Sequence, residues 1–328
     1  MAKKLVIVGS GMAGGKLVEE ILAAALDLWD ISIVGDEPEG NYNRIKLNYC
    51  LSGEEPEEFH LNPPAWYLRN GVNAYLGQRA MSIDRSAKTI SLDNGKTLPY
   101  DHLVLATGSR PFVPTIRNGN LPTLVAIRNL ADVRKAQPLL QPGKRAIVIG
   151  GGLLGLELAL VLQGQGLDIT VSQFMPTLME TQLDELGGRT LQTLLEAKGL
   201  KFIMNTYVCG VDPLDGAKPE GALVAEFKDG RKLEADVVLV SCGIKPNIDL
   251  AKTAGLDCHR GINVNVHLTT TDPAISAVGE CIEFDGKIWG LVAPAYEQAS
   301  RPPWSRSSCA PAVGLPVAPL GNGGEADR

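Results

Sequence analysis

The chain has 328 residues, of which 45% are apolar, 21% charged and only 5% aromatic, and it contains 36 glycines. This composition is typical of a globular protein and excludes disordered, collagen-like and disulfide-scaffold chains. The length predicts two domains, because a single core stops growing at about this size. The net charge of −6, without a basic stripe, argues against a nucleic-acid partner.

The six cysteines are scattered, with no Cys-x-x-Cys pair and no metal-ligand spacing. This usage predicts unpaired thiols in a reducing compartment and no metal site. The apolar run at the start is broken at Gly9, and the longest apolar stretch, residues 146–162, contains four glycines and Glu157. We therefore expect neither a signal peptide nor a membrane span, and a cytoplasmic protein.

The chain begins with the pattern of a βαβ unit. Residues 4–8 form an apolar run of strand length, residues 9–15 a glycine-rich turn, and apolar residues then recur at helical spacing through Ala25 before a strand at 31–34. Residues 81–84 and 89–92 alternate and precede a turn signal at 93–95, which predicts a small antiparallel insertion. A buried strand is expected at 102–106.

The same pattern returns after a proline-rich linker at 110–120. A strand is expected at 145–149, a glycine turn at 150–152, a helix at 153–163 with Leu154, Leu158 and Val161 on one face, and a strand at 169–172. Further strands are expected at 201–204, 223–227 and 237–240. The chain is then expected to lead back through residues 262–266 to residues 277–280, which rejoin the first domain. The predicted fold class is α/β, with two interleaved Rossmann-like, doubly wound domains and a small antiparallel insertion.

The first glycine motif, GSGMAG at residues 9–14, lies between a strand and a helix. Gly9 permits the tight turn, Gly11 lets the backbone approach a pyrophosphate, and Gly14 allows close helix–strand packing. The start of the helix offers N–H groups to the phosphates. Asp36, just past the second strand, is the expected acceptor for the ribose hydroxyls, with Glu37 as the alternative.

The second motif, GGGLLG at residues 150–155, has the same context, so two dinucleotide folds are predicted on one chain. Ser172 and Gln173 stand where an acid would meet the second ribose. Both are neutral, and they do not decide between NADH and NADPH. Glu157, on the helix after the glycines, either faces the cofactor or is a solvated residue.

Together with residues 106–108 (ATG) and 277–281 (AVGEC), these motifs resemble the pyridine nucleotide–disulfide oxidoreductases. The resemblance implies FAD in the first fold and NAD(P)H in the second, with Glu280 in place of the Asp of the family pattern. The strings at 35–38, 42–44, 153–157, 176–184 and 290–294 further resemble the N-terminal flavoprotein part of NAD(P)H-dependent nitrite reductase large subunits, over about residues 3–299.

Motifs and resemblance together assign residues to each nucleotide. The residues assigned to FAD are Gly9, Gly11, Met12, Ala13, Gly14, Asp36, Glu37, Arg44, Ala80, Ala106, Thr107, Gly108, Gly279 and Glu280. Those assigned to NAD(P) are Gly150, Gly152, Leu153, Leu154, Gly155, Glu157 and Gly243. The FAD-binding domain is expected at about 1–113 and 242–300, and the NAD(P)-binding domain at about 114–241. On composition alone Arg44 could equally be a surface arginine.

The resemblance implies hydride transfer from NAD(P)H to FAD and then electron transfer to an iron–sulfur or sirohaem acceptor that this chain does not encode. Nitrite reduction itself is not expected of it. Cys50 stands alone where disulfide reductases have a pair, so it is either a thiol that cycles through sulfenic acid or an inert packed one.

Two other functions stay open. One is a free-standing rubredoxin or ferredoxin reductase or an NADH oxidase, and the other is a non-catalytic remnant that binds nucleotide. Residues 301–328 contain five prolines and no periodicity, and we expect a disordered, non-native tail after a truncation.

Overall fold

The computed structural model describes residues 2–24, 28–214, 218 and 220–300. Within them the chain forms two compact units. The first unit comprises residues up to 43, 58–110 and those from 245 on; the second comprises residues 44–57 and 111–244. The sequence-based division kept residues 44–57 in the first domain. The predicted tail lies outside the described residues.

The strands, in chain order, are β1 (Lys3–Val8), β2 (Trp29–Gly35), β3 (Asn41–Tyr42), β4 (His60–Asn62), β5 (Asn73–Leu76), β6 (Ala80–Asp84), β7 (Thr89–Leu92), β8 (Thr97–Pro99), β9 (His102–Leu105), β10 (Ser109–Pro111), β11 (Leu124–Ala126), β12 (Arg145–Ile149), β13 (Asp168–Gln173), β14 (Lys201–Met204), β15 (Val208–Pro213), β16 (Leu223–Phe227), β17 (Lys232–Ala235), β18 (Val237–Val240), β19 (Ile244–Pro246), β20 (Ile262–Asn263), β21 (Ile275–Ala277), β22 (Ile282–Phe284) and β23 (Lys287–Ile288).

The α-helices are α1 (Met12–Ala24), α2 (Pro64–Arg69), α3 (Leu130–Ala136), α4 (Leu153–Gly164), α5 (Glu185–Ala197), α6 (Asp249–Thr253) and α7 (Val292–Ala299). Short 3₁₀ segments cover Arg44–Ser52 and Gln137–Leu139.

The first unit is built on a parallel sheet with the strand order β21-β9-β1-β2-β5. Both faces of the central strand β1 are buried. Leu5 and Ile7 pack with the apolar face of α1, whereas Val6 and Val8 pack with the antiparallel strands β6–β8. Alternation along β1 thus places one set of side chains in each of two core layers, which explains why the strand reads as a continuous apolar run.

The second unit repeats this topology with the parallel order β11-β18-β12-β13-β14. An antiparallel sheet of β15, β16 and β17 takes the place of β6–β8. Its side chains, Phe227 among them, form one core with residues of the parallel sheet that include Ile147 and Ile149. The predicted α/β class with two Rossmann-like units is confirmed.

One local prediction differs from the structure. On α4, Leu158 is buried but Leu154 is 54% exposed, because the face that packs is formed by Gly155, Leu158, Ala159 and Leu162. The expected helix end at Ala25 lies outside the described residues.

Candidate nucleotide-binding sites

The glycine turn of the first unit is shaped by contacts within the chain. Gly9 has φ +119°, and a Cβ there would lie 2.0 Å from the carbonyl oxygen of Ala106. A Cβ on Gly14 would lie 1.9 Å from the carbonyl oxygen of Gly9. Both positions require glycine so that β1, the end of β9 and α1 can approach one another. The turn therefore delivers the start of α1, whose first N–H groups have no partner inside the helix, to the carboxyl end of the sheet.

The late turn after β21 lies at the same place. A Cβ on Gly279, which has φ +85°, would lie 2.8 Å from the Cβ of Ala13. The structure thus brings Gly9, Ala13, Gly14, Ala106 and Gly279 together, although the last of them lies far along the chain. This convergence at a helix N-terminus fits a bound pyrophosphate.

Two acids follow β2, and the structure distinguishes them. Asp36 is exposed and has no hydrogen-bond partner among the described residues. Glu37 is half-buried, and its carboxylate accepts a hydrogen bond from the hydroxyl of Tyr42. Asp36 is therefore the better placed of the two to accept hydrogen bonds from a ribose.

The segment after β9 is fixed by Asn247. The Oγ1 of Thr107 donates to the carbonyl oxygen of Asn247 at 2.7 Å, and the amide Nδ2 of Asn247 donates to the carbonyl oxygen of Thr107 at 2.9 Å. The hydroxyl of Ser109 donates to the carboxylate of Glu280 at 2.8 Å. These contacts fix the positions of Thr107, Gly108 and Glu280.

Gln298 is a site residue that the sequence reasoning missed. It lies on α7 with 4% of its surface exposed, and its Oε1 accepts a hydrogen bond from the N–H of Gly279 at 2.7 Å. The N–H of Gly279 is thus already engaged. The only hint in the sequence is one polar residue on the apolar face of a helix.

The second unit reproduces the first turn closely. Gly150 has φ +118°, and a Cβ there would lie 2.2 Å from the carbonyl oxygen of Ser241. A Cβ on Gly155 would lie 2.1 Å from the carbonyl oxygen of Gly150. The two glycines again serve the packing of strand against helix.

Gly152 behaves differently, since a Cβ there would meet no atom within 4 Å. It is the N-cap residue of α4, and no side chain caps the helix. Leu153 and Leu154 follow it with about half of their surface exposed. Internal packing gives no reason for glycine at this position, and the open space over an uncapped helix start fits a ligand phosphate that approaches the backbone.

The end of β13 is closed by side-chain contacts. Ser172 and Gln173 are buried, and the Oε1 of Gln173 accepts a hydrogen bond from the N–H of Gly151 at 2.9 Å. The Nε2 of Gln173 donates to the carboxylate of Glu180 at 2.9 Å. The sequence analysis places Ser172 and Gln173 where an acid would meet the second ribose, which stays a prediction. It did not identify Glu180, seven residues further on, as a partner of Gln173.

Other assigned residues lie outside these clusters. Arg44 is half-buried and donates from Nη1 to the carbonyl oxygen of Arg128 at 2.8 Å, within the second unit. Ala80 begins β6, Gly243 is exposed with φ +98°, and Glu157 is half-buried on α4. Their assignment to a cofactor stays a prediction.

Cys50 is buried, and burial together with the charge of Glu55 raises the pKa of its thiol to about 11. Little thiolate therefore exists near neutral pH, which favours the inert packed thiol over a redox residue. In the part of the chain that the structure describes, no cluster of three or more metal-ligating side chains occurs. None of the described helices has the length and apolar character needed to cross a bilayer.

Comparison with known proteins places this geometry in a family. The family model described as pyridine nucleotide-disulphide oxidoreductase matches residues 3–299. The chain is 40% identical over 300 residues to the assimilatory nitrate reductase electron transfer subunit of Bacillus subtilis (strain 168), and 42% identical over 301 residues to the NAD(P)H nitrite reductase of the same organism. Among solved structures, a covalent complex of putidaredoxin reductase with putidaredoxin matches with a TM-score of 0.84 and 29% identity, over 92% of this chain and 75% of that chain.

The chain therefore belongs to the pyridine nucleotide-disulphide oxidoreductase family, as its motifs predicted. The prediction of an oxidoreductase that uses FAD and NAD(P)H is thereby confirmed at the level of the family. The alignments to the two Bacillus subtilis proteins cover 90% of this chain but only 38% and 36% of those relatives. The chain thus spans little more than a third of their length.

Proposed function

We propose that this chain is an electron-input flavoprotein, which takes reducing equivalents from NADH or NADPH and passes them to an iron–sulfur or haem acceptor on another protein or domain. The observation that carries the proposal is the repetition of one glycine geometry at two helix starts, Gly9 and Gly14 in one unit and Gly150 and Gly155 in the other. One chain then holds two dinucleotides, as hydride transfer between them requires.

In the first unit, we assign the pyrophosphate of FAD to the start of α1 and its adenosine ribose to the exposed carboxylate of Asp36. Glu280, oriented by the hydroxyl of Ser109, is assigned to the ribityl chain. In the second unit, the pyrophosphate of the pyridine nucleotide is assigned to the uncapped start of α4 at Gly152.

When bound, the flavin supplies the redox chemistry: it accepts a hydride and can return electrons singly. The side chains of this chain bind and orient, and none is needed as a nucleophile. The high pKa of Cys50 argues against an oxidase that works through a thiolate. We also propose a cytoplasmic location, because the five described cysteines are free, as is usual in that reducing compartment.

A second candidate is a free-standing reductase of a small iron–sulfur protein. The match to putidaredoxin reductase, in a complex with putidaredoxin, favours it. The relatives described as nitrite and nitrate reductase components favour the first candidate through their higher identity over the same residues.

The test is an anaerobic titration of FAD-reconstituted protein with NADH and with NADPH, with flavin absorbance as the readout. We expect stoichiometric bleaching with at least one of them. Protein that takes up no FAD, or flavin that stays oxidised with both nucleotides, would support a remnant that only binds nucleotide. Adding purified acceptors in turn, a ferredoxin, a rubredoxin and a sirohaem protein, then separates the two candidates.

A further inference from the structure

One buried side chain of the first unit has a hydrogen-bond donor without an acceptor. Gln298 lies on α7, and only 4% of its surface is exposed. Its Oε1 accepts from the N–H of Gly279 at 2.7 Å. Its Nε2 is also buried and donates to no acceptor among the described residues. Because a buried N–H group without an acceptor is destabilising, a ligand atom that accepts from it is bound with particular advantage.

The orientation of this amide is fixed by its neighbour. The backbone N–H of Gly279 can only donate, so the atom of Gln298 that faces it must be the side-chain oxygen. The reversed amide would place two donors against each other. Nε2 is therefore the atom of Gln298 that is left for a ligand.

Gln298 lies beside the start of α1. A Cβ on Gly279 would lie 2.8 Å from the Cβ of Ala13, which belongs to the first turn of that helix. Ala299, the next residue on α7, packs in the same core as Ala13 and Leu17. The first N–H groups of a helix have no acceptor within it. The amide of Gln298 thus lies next to the helix start to which we assign the pyrophosphate of FAD.

The carboxylates closest along these elements have partners of their own. On α1, Glu20 is paired with Lys16 at 2.8 Å, and Glu19 accepts from the Nδ2 of Asn62 at 2.9 Å. Glu280, which follows the late glycine turn, accepts the hydroxyl hydrogen bond described above. None of the three accepts from Gln298 in the part of the chain that the structure describes. A ligand oxygen is therefore the acceptor that suits this donor.

We infer that Gln298 is a binding residue for the pyrophosphate of FAD, to which its Nε2 donates a hydrogen bond; the inference rests on the proposed function, which puts this pyrophosphate at the start of α1. A charged phosphate oxygen is a stronger acceptor than a neutral carbonyl. Through its two ends the same amide joins the ligand to the turn at Gly279 and to α7. Binding of FAD should therefore also stabilise the packing of α7 on the first unit.

Uptake of FAD by the apoprotein, followed by flavin fluorescence, tests the inference without turnover. Gln298→Met keeps the length of the side chain but has no N–H donor, and it should weaken FAD binding about thirtyfold. Gln298→Glu retains an acceptor for the N–H of Gly279 and places a negative charge beside the pyrophosphate. It should weaken FAD binding about a hundredfold at about pH 8.

The Gln298→Glu variant also separates a contact with FAD from a role in packing. A protonated glutamate has one O–H donor and one carbonyl acceptor, and can replace both hydrogen bonds of the glutamine amide. Relative to the wild type, which carries the same Lys16, Glu19, Glu20 and Glu280, its FAD affinity should recover at least about tenfold between about pH 8 and pH 5. A role in packing alone predicts a lower urea midpoint with unchanged FAD affinity.

The matched control is Glu297→Gln, an exposed position on the same helix, which should change FAD affinity less than about threefold. Wild-type affinity in Gln298→Met, or no recovery of Gln298→Glu at low pH, overturns the inference and leaves the proposed function standing. A crystal structure of the wild-type FAD complex in which Nε2 donates elsewhere does the same, even if neither variant folds. If the folded wild type takes up no FAD, the proposed function fails, and the inference falls with it.

Discussion

The two units share the same backbone conformation at the glycine turn and differ in the side chains around it. In each, the first glycine of the turn contacts a carbonyl at the end of the adjacent strand, and the last contacts the carbonyl of the first, with virtual Cβ distances of 1.9–2.2 Å. These glycines are required by the packing of the fold and do not indicate which nucleotide binds. The residues that differ between the two units lie at the end of the second strand.

At that position the first unit has Gly35 and the second has Gln173, as the strand registers show. A Cβ on Gly35 would lie 2.0 Å from the Oγ of Ser10, so no side chain fits there and the polar group is Asp36, one residue later. In the second unit Gln173 fills the space and binds Gly151. The same fold thus presents the exposed carboxylate of Asp36 in the first unit, whereas in the second unit the carboxylate of Glu180 is hydrogen-bonded to Gln173.

The largest expected effect comes from replacing the first glycine of the turn, a feature that both units share. Gly9→Ala and Gly150→Ala should each destabilise the protein by about 3 kcal/mol or more, because the methyl group meets a backbone carbonyl and φ is positive. Urea unfolding measures the loss. A loss below about 1 kcal/mol in either variant would mean that the turns are less tightly packed than described.

The next prediction concerns the pH dependence of stability, to which the histidines of the first unit contribute. All four histidines belong to the first unit. Burial lowers the pKa of His102 to about 4, and its Nε2 lies 3.1 Å from the Oγ of Ser276. The unfolded chain binds this proton below about pH 6.5 whereas the folded chain does not, so stability is complete above that pH. It should fall by up to about 3 kcal/mol as the pH drops to 4.

Unfolding in urea at pH 7 and pH 4 should show this loss in the wild type and a smaller loss in His102→Gln. An identical pH dependence of the two proteins would remove His102 as its cause.

The third prediction concerns the acid of the first unit. Asp36→Asn should weaken FAD binding about thirtyfold, or about 2 kcal/mol, because a charged acceptor for the ribose is lost. Glu37→Gln should weaken it less than about threefold, since the carboxylate of Glu37 is engaged by Tyr42. FAD uptake by the apoprotein, followed by fluorescence, measures both, and the reverse order would make Glu37 the ribose ligand.

The smallest expected effect on stability concerns Gly152, which internal packing does not require to be glycine, in contrast to Gly9 and Gly150. Gly152→Ala should change stability by no more than about 0.5 kcal/mol, because the new methyl group meets open space. It should weaken NAD⁺ binding about tenfold by occupying that space. Calorimetric titration with NAD⁺ measures it, and unchanged affinity would show that the nucleotide does not approach Gly152.

The sequence by itself determined the parts that are local. Both strand–glycine–helix units and the antiparallel insertion at β6–β8 follow from apolar periodicity and glycine spacing, since each depends on residues close together along the chain. The family was predicted from the resemblance of its motifs. The prediction that Asp36 meets a ribose rests on the same kind of local pattern, an acid that follows a predicted strand.

Only the tertiary structure decided which polar groups meet. The contacts of Gln298 with Gly279 and of Ser109 with Glu280 join residues 19 and 171 positions apart, and no local pattern encodes them. Glu180 lies seven residues from Gln173, and the loop between them must fold back on the glycine turn before the two side chains can meet. Hydrogen bonds between side chains are short and directional, so they depend on where packing places the backbone, whereas the apolar pattern that forms strands and helices tolerates many exact positions.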